Sequence, residues 1–198
     1  MTDADESRRR VLEMLHRLLG GDGASYRGSA VRAAGRMGAR DAIPALIALL
    51  RDEDPDVRVD AAAALGRLKA KEAVGALVEN IERDPAGEVR IEAVKALGRI
   101  GSREAVQPLV RCFEAEGYPE LDRLSGDAEY GPWFEVQRRS LEALVELGDA
   151  RAVRTVIAAL ENEDYEDMKE SAIRVLARLD AGGARAFLVA QLKSGGRI

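Results

Sequence analysis

Apolar residues return along this chain at helical spacing, and polar or glycine-containing breaks cut them into short segments. Val57, Ala61, Ala62, Ala64, Leu65 and Leu68 share one broad helical face, with Arg58, Asp60 and Arg67 between them. The same pattern recurs at 89–100, thirty-two residues on, and at 26–37, thirty-one residues back. Two weaker copies, 136–147 and 168–179, are again 32 residues apart. Between the copies, apolar spacing predicts partner helices over 42–51, 71–82, 103–115 and 150–160. Glu53-Asp54-Pro55-Asp56, Asp84-Pro85-Ala86-Gly87, Gly101-Ser102 and Gly148-Asp149 supply the turns. A helix from Ser7 to Leu19 precedes the first copy, and one from Ala184 to Leu192 follows the last. A period of this length predicts an all-α array of stacked hairpins, each covering its neighbour's apolar face.

The rhythm fails once. Val89 and Val136 are 47 residues apart, 15 more than 32, and the surplus lies in 116–133. Five of the chain's eight aromatic residues fall at Phe113, Tyr118, Tyr130, Trp133 and Phe134. A long loop with its own aromatics inside a compact array is uncommon without a function, and Trp and Tyr anchor interfaces well. Tyr118, Tyr130, Trp133 and Phe134 are therefore candidate protein-binding residues.

Asp54-Pro55-Asp56-Val57-Arg58 followed by Ala61-Ala62 and Ala64-Leu65-Gly66 resembles the HEAT repeat, and more narrowly the HEAT-like repeats grouped with phycobilisome lyases. The likeness covers roughly residues 24–193 and implies an α-α superhelix, a HEAT-like α-solenoid of about five hairpins plus a C-terminal helix. On this reading residues 1–198 form a single repeat domain. It has an N-terminal capping helix in 1–23, an inserted loop at 116–133 and a C-terminal cap and tail at 184–198. The resemblance also implies that the recurring second helix lines the concave surface, and that the arginine after valine forms a ladder with turn aspartates. Arg27, Arg58 and Arg90 match that position; Gln137 and Lys169 depart from it.

Composition narrows the chemistry. The chain is 46% hydrophobic but 4% aromatic, which suits closely packed Ala- and Leu-rich helices. A net charge of −5 argues against broad nucleic-acid binding, which needs a strong positive field. One cysteine, Cys112, excludes an internal disulfide. No signal peptide or apolar span of membrane length is visible, so the sequence reads as soluble and cytoplasmic.

Catalytic chemistry finds little support. His16 is the only histidine and has no companion ligands, and no repeated His-Glu pair supports the iron site of the HEAT-like deoxyhypusine hydroxylases. No metal or other cofactor is expected. Gly21-Asp22-Gly23 follows no strand, and the acidic turns lack the glycine and closing glutamate of a calcium loop. Alignment of the copies instead isolates two charged columns: Arg36, Arg67, Arg99, Glu146, Arg178, and Arg32, Ala63, Lys95, Glu142, Arg174. The bland account is solvated helix charge, partly paired with Asp60 and Glu92. The functional account is an arginine-bearing surface for carboxylates on another protein. The expectation is a non-enzymatic protein-interaction scaffold whose partner carries an acidic segment. The family resemblance implies an alternative, a bilin lyase subunit or lyase-like chaperone. Nucleic-acid recognition, as in HEAT-like DNA glycosylases, is more distant.

Overall fold

Helix propensity and turn chemistry agree along most of the chain. A computed structural model describes residues 23–115 and 132–160, with isolated helical positions at 13, 17, 169, 173 and 176. Among these residues there are helices and turns and no strand. The recurring helices are α1 (Ala24–Met37), α3 (Pro55–Arg67), α5 (Gly87–Ile100) and α7 (Pro132–Leu147). Their partners are α2 (Ile43–Ala48), α4 (Val74–Arg83), α6 (Val106–Glu114) and α8 (Val153–Leu160). The all-α array of hairpins read from the period, of the HEAT-like class that the resemblance implies, is the fold the structure adopts.

The partner helices start later than their apolar pattern suggests. Each opens with a 3-10 turn, at Arg40–Ala42, Lys71–Ala73, Arg103–Ala105 and Ala150–Ala152, which buries its alanine before the α-helix begins. Ser102 and Asp149 cap their turns by accepting from the N–H of Glu104 and Arg151, whereas Ala39 and Ala70 offer no side-chain cap. The segment expected as one helix over 42–51 closes with a further 3-10 turn at Leu49–Arg51. The recurring helices α1, α5 and α7 stop at glycines in the left-handed region; Lys69 takes that conformation after α3, with φ of 51°.

Residues 1–100 and 101–198 form two compact units. In the first, α3 packs between α1 and α5, with α2 and α4 behind. Its core is Val57, Ala61, Ala62, Ala64, Leu65 and Leu68 with all six corresponding residues of α5 and with Ala30, Val31 and Ala34 of α1; Tyr26 and Met37, at the places of Val57 and Leu68, are exposed. Two glycines set the spacing of these helices. A methyl group on Gly35 would stand 3.1 Å from Ala64 Cα, and one on Gly66 would stand 2.9 Å from Ala96 Cα. Their absence lets adjacent recurring helices meet backbone to backbone, offsetting a helix-propensity cost of about 1 kcal/mol each. In the second unit α6 packs on α7, and α8 meets both. The helix expected from Val136 begins at Pro132, so Pro132 and Trp133 belong to its first turn rather than to the inserted loop. Proline suits that place because a first-turn N–H has no helical partner.

Candidate functional site

Successive repeats of the first unit are tied by two arginines, Arg27 buried and Arg58 half-buried. Arg27 on α1 donates from Nε and Nη2 to the Asp52 carboxylate at 2.7 and 2.8 Å. Arg58 on α3 makes the same fork to Asp84, at 2.7 and 2.8 Å. Arg58 also reaches back to the carbonyls of Asp52 and Glu53, closing the end of its own hairpin. Arg90, 1% exposed, donates from Nε to the Asp84 carbonyl at 2.7 Å. Burial would raise the Asp52 carboxyl. Hydrogen bonds from Arg27 and the Asp54 N–H, with the charges of Arg27 and Arg58, outweigh it and hold the group below the ordinary carboxylate range. These arginines are structural.

The charged columns are a different matter. In the first unit Arg32 pairs with Asp60 across the α1–α3 seam and donates to Ser29 Oγ at 3.1 Å. Lys95 and Arg99 both pair with Glu92, at 3.5 and 2.7 Å. Arg36 and Arg67 are exposed, and among the described residues neither side chain has a hydrogen-bond or ion-pair partner. The glycines shape this surface too. A methyl group on Gly35 would stand 3.2 Å from Arg67 Nε, and one on Gly66 would stand 3.4 Å from Arg99 Cδ. Each arginine therefore lies over the glycine of the preceding recurring helix.

At α7 the columns change sign. Glu146 stands exposed at the position of Arg67. Glu142, at the position of Lys95, is bridged by Arg139 at 2.7 Å and Arg138 at 3.5 Å. The same two arginines hold Glu135, at 2.7 and 3.1 Å. Burial raises the Glu135 carboxyl, but the hydrogen bonds and charges of Arg138 and Arg139 prevail and lower it. Arg174 and Arg178 lie outside the described residues, as do Tyr118 and Tyr130, and the side chain of Phe134 is also outside them.

Trp133, read as a surface anchor, faces inward. It is 5% exposed, and its Nε1 donates to the Ala115 carbonyl at 3.2 Å. Gln137 donates from Nε2 to the carbonyls of Phe113 and Ala115, both at 2.9 Å. Together they close the open C-terminus of α6 onto the start of α7. The sequence reading also missed Asn80, buried at a position filled by Leu49, Cys112 and Ala159 elsewhere; its Nδ2 donates to the Leu50 carbonyl at 3.0 Å. The one available signal was a polar residue in an otherwise apolar column.

Nothing described resembles a reaction centre. Cys112 is buried, and no group of three His, Cys, Asp or Glu side chains among the described residues could hold a metal ion. A shallow groove beside the ladder is lined by Leu50, Arg51, Asp52, Arg58, Glu79, Asn80, Arg83, Asp84 and Pro85; apart from Arg83, its polar side chains already bond one another, neighbouring residues or nearby backbone. No described helix is long and apolar enough to cross a membrane.

Comparison with known proteins agrees with this architecture. The HEAT-repeat family profile matches residues 11–92 and 43–125, and that of the PBS lyase HEAT-like repeat matches 136–162. A chain from the complex of CpcE and CpcF of phycocyanin lyase from Nostoc sp. PCC7120 superposes with a TM-score of 0.68. It is 25% identical, over 92% of this chain and 70% of that one. Two engineered proteins share the fold. One has a TM-score of 0.60 at 20% identity, over 91% of this chain and 84% of its own. The other has a TM-score of 0.56 at 23% identity, over 91% and 51%. No curated protein gave a match. With its repeat register, its arginine–aspartate ladder and profile matches over most of its length, the chain belongs to the HEAT repeat family, with repeats of the phycobilisome-lyase type.

Proposed function

We propose that this protein is a non-enzymatic scaffold that holds another protein, through an acidic segment of that partner, on the arginine-bearing face of its recurring helices. The observation that carries the reading is the state of Arg36 and Arg67: exposed on α1 and α3 and without an internal partner among the described residues. Solvated arginines next to fully paired ones cost nothing to keep, but they give a surface a charge that an acidic segment would satisfy. The HEAT-repeat architecture suits this role, since stacked hairpins present a long preformed surface and bind without the cost of folding. Tyr118 and Tyr130 of the inserted segment, and Phe134 in the first turn of α7, would add contacts. Trp133 is assigned instead to holding that segment's end.

The test starts from the full-length protein, with partners captured from a native lysate and then purified. Binding is compared for the wild type, for Arg67→Glu with Arg99→Glu, and for a chain lacking 117–131. A loss of affinity with a weaker salt dependence in the charge-reversed protein supports the reading. Unchanged affinity and salt dependence in both variants refutes it.

A second reading has one specific observation in its favour, the 25% identity and 0.68 TM-score to a chain of a phycocyanin lyase complex. On that reading the protein is a lyase subunit or a chaperone for a tetrapyrrole-bearing protein. Mixing it with a free bilin tests the idea directly, because uptake would change the visible absorbance spectrum. A spectrum equal to that of free bilin removes this alternative.

A further inference from the structure

Lys69 stands where the other described repeats have glycine. At the end of α3 the N–H of Lys69 donates to the Gly66 carbonyl and that of Ala70 to the Leu65 carbonyl, both at 3.1 Å. This pairing closes a helix through a left-handed residue, and Lys69 supplies it with φ of 51°. Gly38, Gly101 and Gly148 do so after α1, α5 and α7, with φ of 67°, 70° and 57°. A residue with a Cβ is strained in that region, and lysine lacks the short polar group that helps asparagine there. Lys69 is also exposed, and its side chain has no hydrogen-bond or ion-pair partner among the described residues.

A second cation is held beside it. Arg40, in the turn after α1, donates from Nη1 to the Leu68 carbonyl at 2.7 Å. That carbonyl belongs to the peptide that leads into Lys69. Because a planar trans peptide keeps its oxygen about 2.8 Å from the next Cα, Arg40 Nη1 lies within about 5.5 Å of Lys69 Cα. The bond uses one of the five guanidinium donors and leaves the rest of an exposed side chain available. Backbone strain and a like-charged neighbour are both unfavourable, and strain of this kind gathers at functional positions.

We infer that Lys69 and Arg40 form an anion-binding corner where the turns after α1 and α3 meet, and that it takes two carboxylates from an acidic, extended segment of a partner protein. The inference rests on the scaffold reading and carries the binding surface from the helix faces onto this edge. Charge selects the occupant. Asp41 and Glu72 are exposed in the 3-10 turns that follow, each directly after a cation, Arg40 and Lys71. A continuous line of phosphates would have to pass both carboxylates, in a chain of net charge −5, whereas a peptide with spaced acidic residues would not. The helix dipole also favours a cation at this end of α3, but Arg67 in the last turn already serves it and needs no left-handed residue.

The probe is a fluorescein-labelled extended peptide with glutamates at i and i+2, about 7 Å apart along the chain, and its counterpart with glutamines. Both are titrated by anisotropy against the full chain at low and at raised salt, and thermal melts are followed by circular dichroism. The wild type is expected to bind the glutamate peptide about tenfold more tightly, with the difference shrinking as salt rises. Lys69→Gly and Lys69→Gln should each bring the two peptides within about twofold, and Lys69→Arg should restore the preference. Arg51→Gln, which removes a cation from the turn before α3, should keep it. Lys69→Gly should also melt about 2–4 °C higher than the wild type, so that binding is lost as stability is gained.

The inference is overturned if the wild type shows no preference, if Lys69→Gly keeps it, or if Arg51→Gln loses it equally. A lower melting temperature for Lys69→Gly overturns it too, because lysine would then serve the fold. So does a short DNA duplex that binds more tightly with the same dependence on Lys69. A captured native partner whose affinity falls with Arg67→Glu and Arg99→Glu but ignores Lys69→Gly rejects the corner and leaves the scaffold standing. Failure to find any partner that binds the purified wild type rejects both.

Discussion

The first unit joins its repeats with charge, and the second joins α6 to α7 with an amide and an indole. Arg58 forks onto Asp84 and also reaches back to the carbonyls of Asp52 and Glu53. Gln137, at the equivalent position, keeps only the backward half, to Phe113 and Ala115, and Trp133 adds a second donor to the Ala115 carbonyl. The spacing residue differs as well: Gly66 in α3, but Val145 in α7. So does the surface, where Arg67 is answered by Glu146. What both units share is the apolar face and a donor aimed at the end of the preceding helix. The first requirement comes from burying each hairpin on its neighbour. The second comes from the unpaired carbonyls that every helix leaves at its C-terminus. Within those two limits the polar residues differ from repeat to repeat, and α3 carries a cation, Arg67, where α7 carries an anion, Glu146.

The sharpest way to break the comparison is to remove the charge that the second unit lacks. In Arg58→Ala, the carboxylate of Asp84, a residue 8% exposed in the wild type, loses the fork from Arg58, and two carbonyls lose their donor. Breaking a buried pair from one side costs about 3–5 kcal/mol, and urea unfolding should show a loss in that range. Arg58→Gln copies Gln137 and should recover part of the loss by bonding Asp52 and Glu53 again. Equal stability of the alanine and glutamine variants would mean that the carbonyl contacts carry no weight.

Gly66→Ala tests the spacing. The added methyl would meet Ala96 Cα at 2.9 Å and Ala96 Cβ at 3.1 Å, contacts that only a backbone shift can relieve. Overpacking of this kind costs about 1–3 kcal/mol, more than the roughly 1 kcal/mol gained from helix propensity. Gly75 is the internal control, since a methyl there meets nothing within 4 Å. Gly75→Ala should stabilise by about 0.5–1 kcal/mol. Destabilisation at both sites would show that the α3–α5 approach is not what Gly66 protects.

Much of this was legible before any coordinates, and the reason is the repeat itself. Aligned copies reveal which columns are apolar, so the faces of α3 and α5 could be read directly, while the structural place of Arg27 and Arg58 came with the family resemblance. Asp60 and Glu92 could be named as partners of the charged columns, but not which cation each would take. Arg32 and Asp60 are 28 residues apart and meet only because α1 and α3 lie side by side in one register. That Arg36 and Arg67 have no carboxylate partner among the described residues could not be read from their own neighbourhoods in the sequence. Trp133 was misread for a different reason. Its surroundings have the composition of a loop, and the sequence does not show the open Ala115 carbonyl that draws the indole inward.

Ser140 marks a place where the second unit is the weaker of the two. Its equivalents Ala30, Ala61 and Ala93 are all buried in the first unit. The Ser140 hydroxyl is buried as deeply and has no hydrogen-bond partner among the described residues. Ser140→Ala should stabilise the protein by about 1 kcal/mol, visible as a higher urea midpoint with an unchanged slope. A loss of stability would reveal a partner for that hydroxyl and remove this contrast between the units.

The smallest effect is one of pH, and it belongs to the second unit. Asp149 accepts from the N–H of Arg151 at 3.0 Å and from its Nε at 2.8 Å, while the same guanidinium ties the turn to the Arg103 carbonyl. These hydrogen bonds from Arg151 lower the Asp149 carboxyl from 3.8 to about 2. A folded-state value below the unfolded one means that the contribution is whole above about pH 4 and disappears as pH falls towards 2. Because Arg151 is half exposed, the cap and ion pair together should contribute about 1 kcal/mol rather than the full value of the shift. Asp149→Asn should therefore be less stable than the wild type at pH 7 by roughly that amount or less, since asparagine still caps. The two proteins should converge between pH 4 and pH 2. A gap that persists unchanged at pH 2 would mean that Asp149 acts through packing and not through its charge.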